Sequence, residues 1–420
     1  MSKFIINGGK KLNGTIHVAG NKNAVLPIMA ASLLIDEEVV LDNVPQIKDV
    51  AAMMTILRSL GATVEQPKPH MLIINTTSVD SYEVLPEYAK QLRASVLLLG
   101  PLYGRFGHVK LPHPGGDVIG KRNIDTHLDG FIHLGATVKT AHELYELSHK
   151  KTTDEVVIFL DEPSVTGTEN LMMASVLGKG TVRLHNAAKE PHIVCLGEFL
   201  KKAGAKIVGL GTDNMVIEGV TKLSGIKHTV HPDYLEEGTF AVLAAASGST
   251  FAITGGFHDE IRSPLHVLSH MGIRLNVNSD TLIVIPSELR ACEKRVQAMP
   301  HPGFPTDLMS PFIVLGTQAK GEMLFHDPLY ESRMFFVDKL IRMGAKITIC
   351  DPHRVIVYGP TKLHGTYLNT PDIRAGIALV IAALIAEGES IIDNAEIIER
   401  GYERLDERLR ALGADIIKHE

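Results

Sequence analysis

One phrase recurs along this chain and limits its possible folds more than any other feature. "LRSLGATV", "FIHLGATV", "LKKAGAKI", "LSHMGIRL", "LIRMGAKI" and "LRALGADI" place glycines at Gly61, Gly135, Gly204, Gly272, Gly344 and Gly413. The spacing stays close to seventy residues, so six similar units account for the 420 residues. Each phrase reads as the end of a helix, with glycine just past the last apolar residue, where a left-handed backbone suits it. Strands follow, as in "AKIVGL" with "NMVIEG" and "AKITIC" with "RVIVYG", whose alternation and intervening turn residues predict hairpins. "GLGTDN" (209–214) lies between two such strands, so it reads as a hairpin turn and not as a phosphate loop.

Each unit also carries a second segment, apolar nearly all round: "NAVLPIMAASLL", "RASVLLLGPLYG", "ENLMMASVLGKG", "GTFAVLAAASG", "TDLMSPFIVLGTQAKG" and "RAGIALVIAALIAEG". Such helices are buried ones, which predicts helices inside and strands outside. The sequence K-L-x-G marks units at Lys11–Gly14, Lys222–Gly225 and Lys362–Gly365. Its return near residue 222 predicts two globular halves of three units each, crossing over near 225–230. An open solenoid is the alternative, but its units are usually shorter, about 20–50 residues.

Polar residues gather where the buried helices begin: Lys22 and Asn23, Arg93, then Thr166, Glu169 and Asn170, then Asp233 and Glu236, then Asp307, then Asp372 and Arg374. Helix N-termini expose unpaired N–H groups and favour anions. Asp307 and Asp372 could each be simple caps. Lys22, Arg93 and Arg374 are cations where the helix dipole disfavours them, which predicts an anion site shared between cations and helix ends.

Composition excludes several classes. A net charge of -6, no tryptophan and 5% aromatic residues argue against a nucleic-acid surface. Cys195, Cys292 and Cys350 stand far apart with no CxxC pair, so neither a disulfide framework nor a cysteine zinc site is predicted. The histidines are scattered, and no metal is expected. "MSKFIINGGKKLNG" lacks a signal-peptide core, and the longest apolar run, Ala375 to Ala386, is shorter than the roughly 20 residues of a spanning helix. The expectation is a soluble cytoplasmic protein. No GxxxxGK[ST] or GxSxG motif occurs. "RGYERLDERLR" (400–410) reads mostly as a solvated helical face with i,i+4 pairs.

"LPHPGGDVIGKRNID" (111–125) sets prolines and glycines around Asp117, ahead of Lys121 and Arg122. Proline fixes φ and glycine frees it, so this is a loop with a carboxyl group at its tip. Glycines at 115, 116 and 120 make residues 112–122 a candidate moving lid.

"GNKNAVLPIMAASLL", "RASVLLLGPL", "PGGDVIGKRNIDTHLDGFIHLGA", "SVTGTEN", "HPGFPTDL", "ESRMFFVDKLIRMGA", "DIRAG" and "ERGYERLDERLRALGA" resemble the UDP-N-acetylglucosamine enolpyruvyl transferases, in order, from about residue 4 to 418. The resemblance implies an α/β fold, the two-domain inside-out α/β barrel, with six repeated units. Its domains would be 22–229, carrying the loop 112–122, and 1–21 plus 230–420. It implies transfer of the enolpyruvyl group of phosphoenolpyruvate to the 3′-hydroxyl of UDP-N-acetylglucosamine through a tetrahedral ketal. That reaction is the first committed step of peptidoglycan precursor synthesis. No cofactor, nucleic acid, membrane or obligate protein partner is implied.

Carried over by position, the resemblance makes Lys22, Asp117 and Asp307 catalytic, with Asp117 the loop general acid and Asp307 the base at the sugar hydroxyl. Lys22, Asn23, Arg122, Arg333, Arg374 and Arg400 would hold phosphoenolpyruvate, the arginines around its phosphate (Arg122, Arg400) or its carboxylate (Arg333, Arg374). Arg93, Arg122, Asn123, Ile124, Asp125, Thr126, Ser164, Val165, Asp307 and Leu329 would contact the sugar nucleotide. Many members carry cysteine at the position of Asp117 and S-V-G-A-T at "SVTGT", so this chain departs at both places. Fosfomycin alkylates that cysteine, so an aspartate loop implies resistance. Two other readings differ in kind: a catalytically silent sugar-nucleotide-binding paralogue, and the sister enzyme acting on shikimate phosphate, whose N-A-G-T-x-x-R signature is missing here.

Overall fold

A computed structural model describes residues 2–116, 120, 123–141, 143–149, 155–292 and 294–420. Asp117, Lys121 and Arg122 lie outside the described residues, and so do Val118 and Ile119 of the expected lid. The six repeat glycines all have left-handed backbones, with φ between 85° and 112°. Each closes its helix as expected. The N–H of Gly204 donates to the carbonyl of Lys201 (3.0 Å), and that of Ala205 reaches back to Leu200 (2.9 Å). The same pair of bonds recurs at Gly61, Gly272, Gly344 and Gly413, satisfying carbonyls that a helix end otherwise leaves bare.

Strands follow each turn. Lys206–Val208 pairs antiparallel with Asn214–Glu218, and Lys346–Asp351 with Arg354–Gly359. The 209–214 segment is their turn, held by Thr212 Oγ1 donating to the Gly209 carbonyl (2.7 Å). The described residues form six open sheets, five of four strands and one of three, and none closes on itself.

Two compact units result. The main segments of one are residues 20–116 and 123–231, and those of the other are 2–19 and 232–420. Each has its own hydrophobic core. The N-terminal strand Lys3–Asn7 belongs to the second unit, lying antiparallel between Glu389–Asp393 and Asp415–His419. In that unit the apolar helices Tyr234–Ser247, Met309–Gly316 and Ile373–Ile385 pack on one another and are buried along nearly their whole length. In the first unit Leu99–Phe106 crosses Val165–Ser175 so closely that a Cβ on Gly100 would stand 2.4 Å from the Asn170 carbonyl oxygen.

Two apolar segments open on 3-10 turns. Arg93–Leu98 and Thr306–Leu308 are 3-10 turns that lead into Leu99–Phe106 and Met309–Gly316. Pro101 and Pro311 explain the break, because proline disfavours helical backbone in the residue before it and fits only the first turn of the helix it enters.

Gly204 isolates the backbone term, since nothing lies within 4 Å of where its Cβ would be and its φ is +112°. Gly204→Ala is expected to lower the unfolding free energy by about 1 kcal/mol, the cost of a left-handed L-residue, read by denaturant titration. An unchanged midpoint would contradict this role for the repeat glycine.

Candidate active site

The helix openings of the second unit converge on one carboxylate. Asp307, in the Thr306–Leu308 turn, is clasped by two guanidinium groups. Arg333 Nη2 donates to its Oδ1 (3.1 Å), while Arg374 Nε and Nη2 reach its Oδ2 at 3.0 and 2.9 Å. The side chain of Asp307 is 24% exposed, against 2% for Arg333 and 9% for Arg374. The carboxylate is thus the most exposed member of the trio, with its charge held by two buried guanidinium groups. Asp307 does not cap Met309–Gly316, whose N-cap is Leu308. The capping alternative is correct for Asp372, whose Oδ1 accepts the N–H groups of Arg374 (2.9 Å) and Ala375 (3.0 Å).

Around this clasp sit further groups. Arg374 Nη1 donates to the Tyr402 hydroxyl (3.3 Å), which lies 3.0 Å from Thr239 Oγ1. Burial opposes the charge of Arg374, yet Asp307, Tyr402 and Asp233 hold its pKa above the ordinary arginine value. Burial raises the Tyr402 hydroxyl to about 12. Burial also pushes Asp233 up to about 6, against the pull of Arg374, although it caps Tyr234–Ser247 through the N–H groups of Leu235 and Glu236.

In the first unit Lys22 opens the helix Lys22–Ala31, which Asn21 caps by accepting from the N–H groups of Asn23 (2.7 Å) and Ala24 (3.1 Å). Its ammonium pairs with Asp49 at 2.6 Å, the side chains being 12% and 4% exposed. Here, as at Arg374, the anion facing the misplaced cation is one of the chain's own carboxylates.

A second cluster joins three segments of the same unit. Asn170 Nδ2 donates to His127 Nδ1 (3.0 Å), so His127 Nε2 carries the hydrogen toward Thr166 Oγ1 (3.0 Å). Burial, aided by the positive charge of Arg93, pushes His127 down to about 3, so the ring is neutral. Beside it, Asn123 and Asp125 are exposed and Ile124 is buried where the helix Asp125–His133 begins, and Ser164 caps the helix starting at Val165. Glu169 is fully buried, and burial together with Glu190 raises its carboxyl well above the usual range.

The structure thus gathers Asp307, Arg333 and Arg374, and separately Arg93, Asn123–Thr126, Ser164 and Val165. Leu329 is 44% exposed. Arg400 lies between the helices Ala395–Ile398 and Leu405–Ala411. The charged run 400–410 is less solvated than expected: Arg408 pairs with buried Glu236 at 2.5 Å, while Arg410–Asp406 is an i,i+4 pair of the kind expected. Asp49, Asp327 and Tyr402 had no motif to mark them; only an acid or hydroxyl close to a recognised cation could have drawn attention to them.

Asp233 gives a pH test. A folded pKa of about 6 against the usual 3.8 means that stability from the protonated group is full below about pH 4 and lost as pH rises through 6. Asn caps as well as Asp, so Asp233→Asn is expected to gain on the wild type from pH 4 to pH 7 by an amount of order 3 kcal/mol. A constant difference in unfolding free energy across that range would show that Asp233 is not held protonated.

The sequence profile for EPSP synthase (3-phosphoshikimate 1-carboxyvinyltransferase) matches residues 6–409. A UDP-N-acetylglucosamine 1-carboxyvinyltransferase of Treponema denticola is 45% identical over 99% of both chains. One from Bradyrhizobium diazoefficiens is 45% identical over 99% of this chain and 97% of its own. Among solved structures, the enolpyruvyl transferase NikO from Streptomyces tendae superposes with a TM-score of 0.90 at 24% identity, covering 99% of this chain and 98% of its own. EPSP synthase from Acinetobacter baumannii gives 0.76 at 17%, with both chains fully covered. These two neighbours establish the enolpyruvyl transferase fold. Among the described residues no group of three or more His, Cys, Asp or Glu side chains could hold a metal, and no helix is long and apolar enough to cross a membrane. Sequence identity over the full length, on top of this fold, shows that the chain belongs to the UDP-N-acetylglucosamine 1-carboxyvinyltransferase family.

Proposed function

We propose that the chain transfers the enolpyruvyl group of phosphoenolpyruvate to the 3′-hydroxyl of UDP-N-acetylglucosamine, in the cytoplasm, as the first committed step of peptidoglycan precursor synthesis. The observation that carries the reading at residue level is the Asp307 clasp: a partly exposed carboxylate paired with two buried arginines. Asp307 accepts the proton of the sugar hydroxyl as its oxygen bonds to C2 of phosphoenolpyruvate, and C3 takes a proton from Asp117. The ketal then returns a proton from its C3 methyl group to the Asp117 carboxylate while the C2–O bond to phosphate breaks, restoring the double bond. Arg333 and Arg374 suit the substrate carboxylate, because guanidinium groups bind carboxylates in bidentate fashion. Lys22, Asn23, Arg122 and Arg400 are assigned to the phosphate side. Arg93, Asn123–Thr126, Ser164, Val165 and Leu329 are assigned to the nucleotide.

Mixing the protein with both substrates is expected to release one phosphate per product. Absence of release would leave only a sugar-nucleotide-binding protein, and release only with shikimate phosphate would assign it to the sister reaction.

Asp307 also changes an expectation about stability. As a cap it would be worth about 1 kcal/mol, and as a base alone nothing. As the partner of two buried arginines, its removal leaves their charge uncompensated, which is strongly destabilising. Asp307→Asn is therefore expected to lower turnover by about 10²–10⁴-fold and also to lower the melting temperature. Retained turnover would overturn the base assignment.

The loop acid carries a separate test. Free aspartate has a pKa of about 3.9 against about 8.5 for cysteine, so Asp117 needs its proton held when it acts. Asp117→Asn should be nearly inactive, while Asp117→Cys should stay active, extend activity to higher pH and become sensitive to fosfomycin. The wild type should resist, because a carboxylate is a poorer nucleophile than a thiolate. Covalent labelling of the wild type by fosfomycin would contradict the assignment.

A further inference from the structure

We propose that Asp327 is the positioning residue of the second unit's site, fixing the base-bearing and arginine-bearing segments relative to each other. The role of the site rests on the reading above; the arrangement itself stands on geometry. Asp327 follows the strand Gly321–His326 and is fully buried. A carboxylate is seldom so placed without compensation. Its compensation comes from three parts of the chain. Oδ1 accepts the N–H groups of Leu329 (2.9 Å) and Tyr330 (3.3 Å), which forces the tight turn that leads into Arg333. Oδ2 accepts the hydroxyl of Thr306, the residue next to Asp307. The backbone is pinned as well: the Asp327 N–H donates to the His353 carbonyl (2.8 Å), and His353 Nδ1 donates to the Asp327 carbonyl (2.7 Å).

Arg333 completes the arrangement. Its Nε is buried without a hydrogen-bond partner, yet it faces Asp327 Oδ2 at 3.9 Å. Asp372 Oδ1 stands 3.9 Å from its Nη1, and Asp307 takes its Nη2. Cation and ring also meet, with the guanidinium carbon 5.3 Å from the Tyr330 ring centroid. Arg333 is thus oriented by carboxylates on several sides, and Asp327 is the one that also holds Thr306. Being fully buried, with both oxygens engaged, Asp327 touches no substrate. It acts through Thr306 on the base and through the 329–333 turn on the arginine. Outer groups that orient a reacting set are worth about 10–100-fold in function, and a displacement of about 1 Å can cost 10²-fold.

Two variants separate the arms. Asp327→Asn keeps the shape but sets an amide against Arg333 Nε; Thr306→Val removes only the link to the base segment. Asp327→Asn is expected to raise KM for phosphoenolpyruvate about tenfold or more while KM for the sugar nucleotide moves less than about threefold. Thr306→Val is expected to lower kcat about tenfold with little change in either KM. Variants that melt earlier but keep both constants within twofold would overturn the proposal, as would equal rises of both KM values in Asp327→Asn. Should Asp327→Asn not fold, Thr306→Val decides alone, and an unchanged kcat refutes the claim. Should the wild type transfer nothing, the functional reading fails and the ¹⁵N resonance of the Arg333 Nε–H becomes the readout. A shifted, faster-exchanging signal in Asp327→Asn then supports positioning, and an unmoved one refutes it.

Discussion

Two arginines buried beside one half-open carboxylate set the terms for the rest of the second unit. A guanidinium cannot give up its proton, so Arg333 and Arg374 must be compensated wherever the fold buries them. Asp307 compensates both, and Asp327 and Asp372 stand 3.9 Å from Arg333. Those acids are already engaged, Asp372 on the N–H groups of a helix and Asp327 on a turn and a hydroxyl. The helix Ile373–Ile385, apolar over almost its full length, keeps Arg374 at its mouth because Asp307 meets it there.

The same economy recurs at Lys22, whose charge is met by Asp49 with both side chains nearly buried. Lys22 and Arg374, cations at helix openings where the dipole disfavours them, are both balanced by protein carboxylates. Under the proposed function, a substrate bearing a carboxylate and phosphates competes with these internal partners, so that its binding and the release of these groups are parts of one exchange of ion pairs.

Much of this was legible in the sequence, for identifiable reasons. The glycine after each amphipathic helix announced the left-handed turn, because few other residues tolerate it there. The hairpins showed in period-two alternation, and the cations at helix mouths showed because they break a rule. Asp49 and Asp327 were not legible, since an acid becomes a counter-ion only through contacts far apart in sequence. Nor could spacing separate Asp307 from Asp372, which look alike as acids after a proline or threonine, yet one grips arginines and the other caps a helix. The neutral His127 was hidden for the same reason: its state depends on Asn170, Thr166 and burial together. The split of "RASVLLLGPLYG" was readable in principle from Pro101, but the uniform apolar run masked it.

The central claim is that Asp307 and Arg374 form one functional pair inside the folded unit. A double-mutant cycle on unfolding free energy, with Asp307→Asn, Arg374→Gln and the double variant, measures that pair directly. A coupling of about 1–3 kcal/mol is expected for contacting charged groups. Additive effects, with coupling below about 0.3 kcal/mol, would contradict the account.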